Sequence, residues 1–179
     1  MRSRAVVSYV LALILMIAIA TSCQNVVGQE HQSSIEVPAG ASRSLPAPDG
    51  DAILVASNGV LALSQGTSRK NLLQYSRTLK LGWSPDSKRF FVDDETSSDR
   101  TDLYVYNRRT GSRRALRSVM LRDSELRRFA RIGSHMYINA NRWIDAQTLE
   151  VEVSGHTDSP VQEFDRKFRV DIDRRVTAL

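Results

Sequence analysis

Hydrophobic and polar positions alternate with a period of two over much of the chain after Pro48, the pattern of half-buried β-strands. Residues 52–56 (AILVA) and 60–63 (VLAL) are apolar runs separated by Ser57-Asn58-Gly59, a tight-turn signal. Gly66-Thr67-Ser68 then breaks the chain before Leu72-Leu73. Residues 89–92 and 102–106 predict two further strands. In the second of these, Leu103 and Val105 face one way and Tyr104 and Tyr106 the other. Residues 136–138, 142–145 and 148–153 predict three more, the last with Leu149, Val151 and Val153 inward and Glu150 and Glu152 in water. Phe164 and then residues 168–173 make the final strands. Within 118–132, Asp123 or Ser124 caps a short helix that places Leu126, Phe129 and Ala130 at helical spacing. The expected fold class is all-β.

Two stretches of this pattern align with each other. Pro48-Asp49-Gly50 matches Pro85-Asp86-Ser87, each is followed by a strand, and both units end in a Gly turn and a Leu: Gly66 with Leu72, Gly111 with Leu116. The second unit carries a longer loop, residues 93–101, in which Asp93, Asp94, Glu95 and Asp99 crowd together with Asp102 beside them. Oxygen-rich loops bind calcium in some proteins, but there is no EF-hand spacing here, and the expectation is a solvated loop tip. Trp83-Ser84-Pro85-Asp86-Ser87-Lys88, Phe91, Asp102-Leu103-Tyr104-Val105 and Thr110-Gly111 together resemble the WD-like repeat of TolB-type β-propellers. The usual form of that repeat is W-S-P-D-G-K, a strand, D-L-Y-V and T-G, so Ser87 stands where the family has Gly. The resemblance covers residues 48–116. It implies four-stranded blades, with the Trp83 ring buried between neighbours. Residues beyond 132 supply a third, degenerate unit. Antiparallel sheets in about three propeller-blade-like repeats are too few for a closed ring of 4–8 blades, so an open or incomplete propeller is expected.

The N-terminal pattern is different. Arg2 and Arg4 precede an apolar run, residues 5–20, that is short for a membrane span and fits a secretory signal. Ala18-Ile19-Ala20 offers ordinary cleavage after Ala20. Ala20-Thr21-Ser22-Cys23 resembles a bacterial lipoprotein box, with Ala20 where Leu is usual. That resemblance implies a diacylglycerol thioether on Cys23, the only cysteine. The expected organisation is a signal peptide over 1–22, a flexible Ser/Gln/Ala/Gly-rich tether over 23–46 and the repeat domain over 47–179. The expected location is the periplasmic face of a bacterial membrane, held through the N-terminal lipid, with soluble periplasmic or secreted protein as the alternative.

Charge adds one feature. The net charge is +5, and arginines cluster at 108, 109, 113, 114, 117, 122, 127, 128 and 131. Arg108, Arg109, Arg113, Arg114, Arg127 and Arg128 are candidate contacts for an anionic partner: an envelope polymer, lipid headgroups or an acidic protein. The competing expectation is a set of solvated turn and helix residues. Nucleic acid is not expected for an exported chain. His31, His135 and His156 are the only histidines. His156, near Asp158 and Asp165, could form an acid/base pair, but a structural role within a turn is the simpler expectation. No nucleophile elbow, phosphate loop or His-Glu-x-x-His motif is present, so no catalytic, cofactor-binding or metal-binding residue is assigned. The expected function is a non-enzymatic β-sheet binding or assembly module at the cell envelope. The alternative is a small exported hydrolase-like enzyme using His156 with a nearby carboxylate.

Overall fold

The computed structural model describes residues 34–131, 135–158, 160, 162–173 and 176–179. The expected signal peptide, both cleavage sites and Cys23 lie outside the described residues. Thirteen strands and two helices follow one another among them. The first nine strands are β1 (Ser34–Val37), β2 (Arg43–Pro46), β3 (Ile53–Ser57), β4 (Val60–Gln65), β5 (Ser68–Gln74), β6 (Leu79–Trp83), β7 (Arg89–Ser97), β8 (Arg100–Asn107) and β9 (Arg113–Ala115). Helices α1 (Arg117–Met120) and α2 (Ser124–Arg131) come next, then β10 (His135–Trp143), β11 (Thr148–His156), β12 (Glu163–Asp171) and β13 (Val176–Ala178).

The strands form three successive antiparallel meanders of four: β2–β5, β6–β9 and β10–β13. The first is a separate sheet. The second and third join in a single sheet, because β10 pairs with the start of β8 through Met136/Arg100 and Tyr137/Thr101. That junction is parallel, which departs from the purely antiparallel expectation. Parallel neighbours need a long crossover, and β9, α1 and α2 lie in the connection from β8 to β10. The larger sheet runs from β1 to β13 and the smaller from β2 to β5, so neither closes.

Turn chemistry explains the hairpins. Asn58 (φ 52°) and Gly59 (φ 73°) both occupy the left-handed region, as a two-residue β3–β4 turn of the primed type requires. Gly50 (φ 77°) and Ser87 (φ 58°), matched by sequence, share that backbone state in equivalent turns. In the second turn Ser84 Oγ donates to Asp86 and accepts from the Arg89 N–H, and the Lys88 N–H donates to Asp86.

Two cores lie on opposite faces of the middle meander. Leu79, Leu81, Trp83, Phe90, Val92 and Tyr106 pack against the first meander around Leu45, Leu54, Leu61 and Tyr75. Phe91, Leu103 and Val105 point the other way, to Met120, Leu126, Ile138, Val151 and Phe168. Burial on both faces is why β7 carries an unbroken Phe-Phe-Val run instead of an alternation. Trp83 sits where its indole N–H donates to the Leu45 carbonyl at 3.0 Å, tying the first two meanders together. Trp143 does the same for the third, donating to the Gly82 carbonyl at 3.1 Å.

Four expectations need correction. Residues 34–46, assigned to the flexible tether, form β1 and β2. Val37 and Leu45 are buried there, and β1 pairs with β6, so the described fold begins at 34 and not at 47. The acidic stretch 93–101 is not a solvated loop. The strands run through it to a two-residue tip at Ser98-Asp99, burying Asp93, Asp94 and Asp102. Residues 136–138 and 142–145 are not two strands; β10 carries the chain from 135 to 143, with a bulge at Asn141. Phe164 and 168–171 likewise share the single strand β12. The predicted helix is α2, capped by Asp123, whose carboxylate accepts from the N–H groups of Glu125 and Leu126 at 3.0 Å each. No helix among the described residues is long and apolar enough to cross a membrane.

Candidate functional site

The polar groups that could carry chemistry gather in two places, and the first is the seam between the second and third meanders. Glu36, Lys80 and Asp93 are register neighbours across β1, β6 and β7. Asp93 is 3% exposed, and both its oxygens accept the Ala140 N–H, at 3.1 and 3.0 Å. Lys80 Nζ donates to the Ala140 carbonyl at 2.7 Å. Beyond Tyr137, β10 has left β8, and the two side chains take over the hydrogen bonds that a neighbouring strand would make. A buried main-chain N–H or C=O left unpaired there would cost about 1–3 kcal/mol. Burial pushes the Asp93 carboxyl up to about 8, against the opposing pull of the Ala140 N–H and the Lys80 ammonium. Asp93 and Lys80 also line a polar groove with Thr78, Glu95, Thr101 and Asn139.

Asp102 is buried and meets two arginines at its surface side. Arg100 reaches Oδ2 at 2.7 Å, and Arg117 Nε lies 3.2 Å from Oδ1 without hydrogen-bond geometry. Asp94, its register neighbour, has its carboxyl raised by burial and by the Asp102 charge.

The second place is the far end of the third meander. β11 extends through Gly155 and His156, so His156 is not in a turn but directly opposite His135 at the start of β10. Paired residues of an antiparallel ladder share a face, and the two imidazoles stack with centroids 4.2 Å apart. His135 Nε2 also lies 3.3 Å from Asp158 Oδ1. One ligand atom from each of His135, His156 and Asp158 falls within 4.8 Å of the other two. His156 further shares an open groove with Tyr137, Ser154, Glu163, Asp165 and Arg166. His156 thus lies near Asp158 and shares the groove with Asp165, while its partner His135 was not expected from the sequence. The missing signal was strand register: 21 residues separate the two histidines in sequence, and only a β10–β11 hairpin brings them opposite.

The arginines of the basic run do not make one patch. Arg108 pairs with Asp49 at 2.5 Å and donates to the Ser87 carbonyl. Arg113 lies over the Tyr104 ring, 4.8 Å from its centroid. Arg114 donates to the Ile172 carbonyl, and Arg127 to the carbonyls of Leu121 and Arg122. Arg109 and Arg128 are exposed, on separate elements. Arg109 borders a groove of mixed charge with Asp49, Asp86, Lys88 and Arg108.

No protein-family model, no curated protein and no solved structure matches this chain.

Proposed function

We propose that the chain is an exported, lipid-anchored, non-enzymatic binding or assembly module, built as three blade-like units of an open propeller at the bacterial cell envelope. The observation that carries this reading is how the buried polar groups are used. Trp83, Trp143, Lys80 and Asp93 all bond main-chain groups of another meander. They hold the array together, and charges such as Arg109 and the Lys88–Asp86 pair remain on outer surfaces. The apolar run before Cys23 and the lipoprotein-like box support the location. The Trp-Ser-Pro-Asp-Ser-Lys and Asp-Leu-Tyr-Val segments support the blade comparison, since Trp83 bridges two meanders as that repeat would have it. The test is cross-linking in intact cells followed by mass spectrometry, alongside Cys23→Ala. The expected outcome is recovery of a protein or an anionic envelope polymer, together with loss of membrane association in the variant. Unchanged processing and membrane association of Cys23→Ala, or no cross-linked partner of either kind, would sink the reading.

A second reading, a small exported hydrolase-like enzyme, is favoured by one observation: His156 stacks on His135, which meets Asp158, beside a groove that also holds Asp165. Neither imidazole hydrogen-bonds to a hydroxyl among the described residues. Turnover of activated esters that disappears in His156→Gln would move the assignment to this reading.

A further inference from the structure

We infer that His135, His156 and Asp158 form a binding site for a divalent transition-metal ion of the zinc, nickel or copper class. Three observations lead there. First, the donors converge from different places in the chain: the start of β10, the end of β11 and the segment after it. Second, the backbone is built for close approach at this point. A Cβ on Gly155 would lie 1.8 Å from the His135 carbonyl oxygen, so only glycine lets β10 and β11 come this near beside His156. Third, the groups are accessible. The His135 side chain is 33% exposed and that of Asp158 is 70% exposed, beside the open groove along β11 and β12.

The geometry fits an ion after a small adjustment. Ligands at about 2.0–2.2 Å from a tetrahedral metal stand roughly 3.4 Å apart. His135 Nε2 and Asp158 Oδ1, at 3.3 Å, already have that spacing. The His156 ring stacks at 13° to the His135 ring, so their in-plane lone pairs lie in two nearly parallel planes and do not meet at one point. One ring must turn about its side-chain bonds to aim at a shared ion. Both histidines are only partly buried, so the rotation meets little packing.

The donor set chooses the ion. Two imidazoles and one carboxylate favour borderline ions over calcium or magnesium, which prefer all-oxygen shells. Three protein ligands leave at least one position for water or an exchangeable ligand. Glu163, opposite His156 on β12, adds a carboxylate on the same row of the sheet. No thiol competes among the described residues, since the only cysteine is Cys23.

The experiment is titration of the full chain carrying Cys23→Ser and His31→Ala, which removes the only thiol and the one imidazole outside the site. Zinc uptake is followed by competition with a chromogenic chelator. Saturation at a single ion per chain is expected, weakened about 100-fold or more by His135→Gln or His156→Gln and roughly tenfold by Asp158→Asn. Circular dichroism of each variant separates loss of ligand from loss of fold. An independent readout needs no further variant: the electron paramagnetic resonance spectrum of the copper-loaded chain should show coupling to two imidazole nitrogens. Absence of saturable uptake, affinity that survives both histidine substitutions in folded protein, or a copper spectrum with fewer than two nitrogens would each overturn the site. None of these outcomes depends on lipidation or on an envelope partner.

Discussion

At the residue scale, Ser87 shows how one side chain resolves two demands. Its φ of 58° belongs to the left-handed region, which an L-residue occupies at a cost of roughly 1–2 kcal/mol and glycine occupies freely. The hydroxyl compensates, because it accepts the Asp49 N–H at 3.0 Å and so joins the two matched turns. Ser87→Ala keeps the strain and loses the acceptor, whereas Ser87→Gly loses the acceptor but relieves the strain. Urea denaturation should therefore place Ser87→Ala below the parent, with Ser87→Gly above Ser87→Ala by about 1 kcal/mol. Equal stability of the two variants would show that the backbone is unstrained. This position was legible in sequence as a departure from the usual Gly. What the hydroxyl does was not, since its partner is 38 residues away on another turn.

At the element scale, the seam between the second and third meanders rests on Asp93 and Lys80 standing in for a strand beside Ala140. The hydrophobic pattern announced most of the strands, because alternation at Leu149, Val151 and Val153 or at Leu103 and Val105 reports directly which face is buried. The acidic run at 93–95 gave the opposite impression, since a run of acids normally marks water. What turned it inward was a long-range partner, the Ala140 N–H, 47 residues on. The same blindness to register hid the His135–His156 pair. Protonation of Asp93 gives the seam a pH signature. The unfolded carboxyl titrates near the ordinary value of about 3.9, while burial holds the folded one near 8. The folded state therefore binds the extra proton between these values. The contribution is fully present below about pH 4, declines as pH rises, and is lost above about pH 8. The steepest loss is about 1.4 kcal/mol per pH unit. Asp93→Asn retains an acceptor for the Ala140 N–H without the titration. Its urea midpoint should vary less than the parent's between pH 5 and about 8, and Asp93→Ala should be weaker at pH 5 by about 1–3 kcal/mol. Parallel pH profiles for parent and Asp93→Asn would contradict the assignment.

At the scale of the whole molecule, three meanders in an unclosed array must manage their edges, and the segment 34–46 does much of that work. β1 covers the free side of β6, and β2 covers the free side of β3. The amino-acid composition of this segment resembles a tether, because Ser, Ala and Gly outnumber large apolar residues. The few it has are in critical places: Val37 and Leu45 are 0% and 3% exposed, and the Leu45 carbonyl is the acceptor for the Trp83 indole. Burying Val37 and Leu45 contributes about 1.5–3 kcal/mol each. Stranding the Trp83 N–H would cost about 1–3 kcal/mol more. Together these approach the whole stability of an ordinary domain, about 5–15 kcal/mol. A chain starting at Ser34 should accordingly unfold cooperatively. One starting at Ala47, where the repeat domain was expected to begin, should show exposed hydrophobic surface, a shallow or absent urea transition and aggregation through the bared edges of β3 and β6. Dye binding and size-exclusion chromatography of the two chains at equal concentration make the comparison. A stable monomer from the shorter chain would mean that the second and third meanders fold without β1 and β2, and that the Trp83–Leu45 contact is an accessory to the array and not its hinge pin.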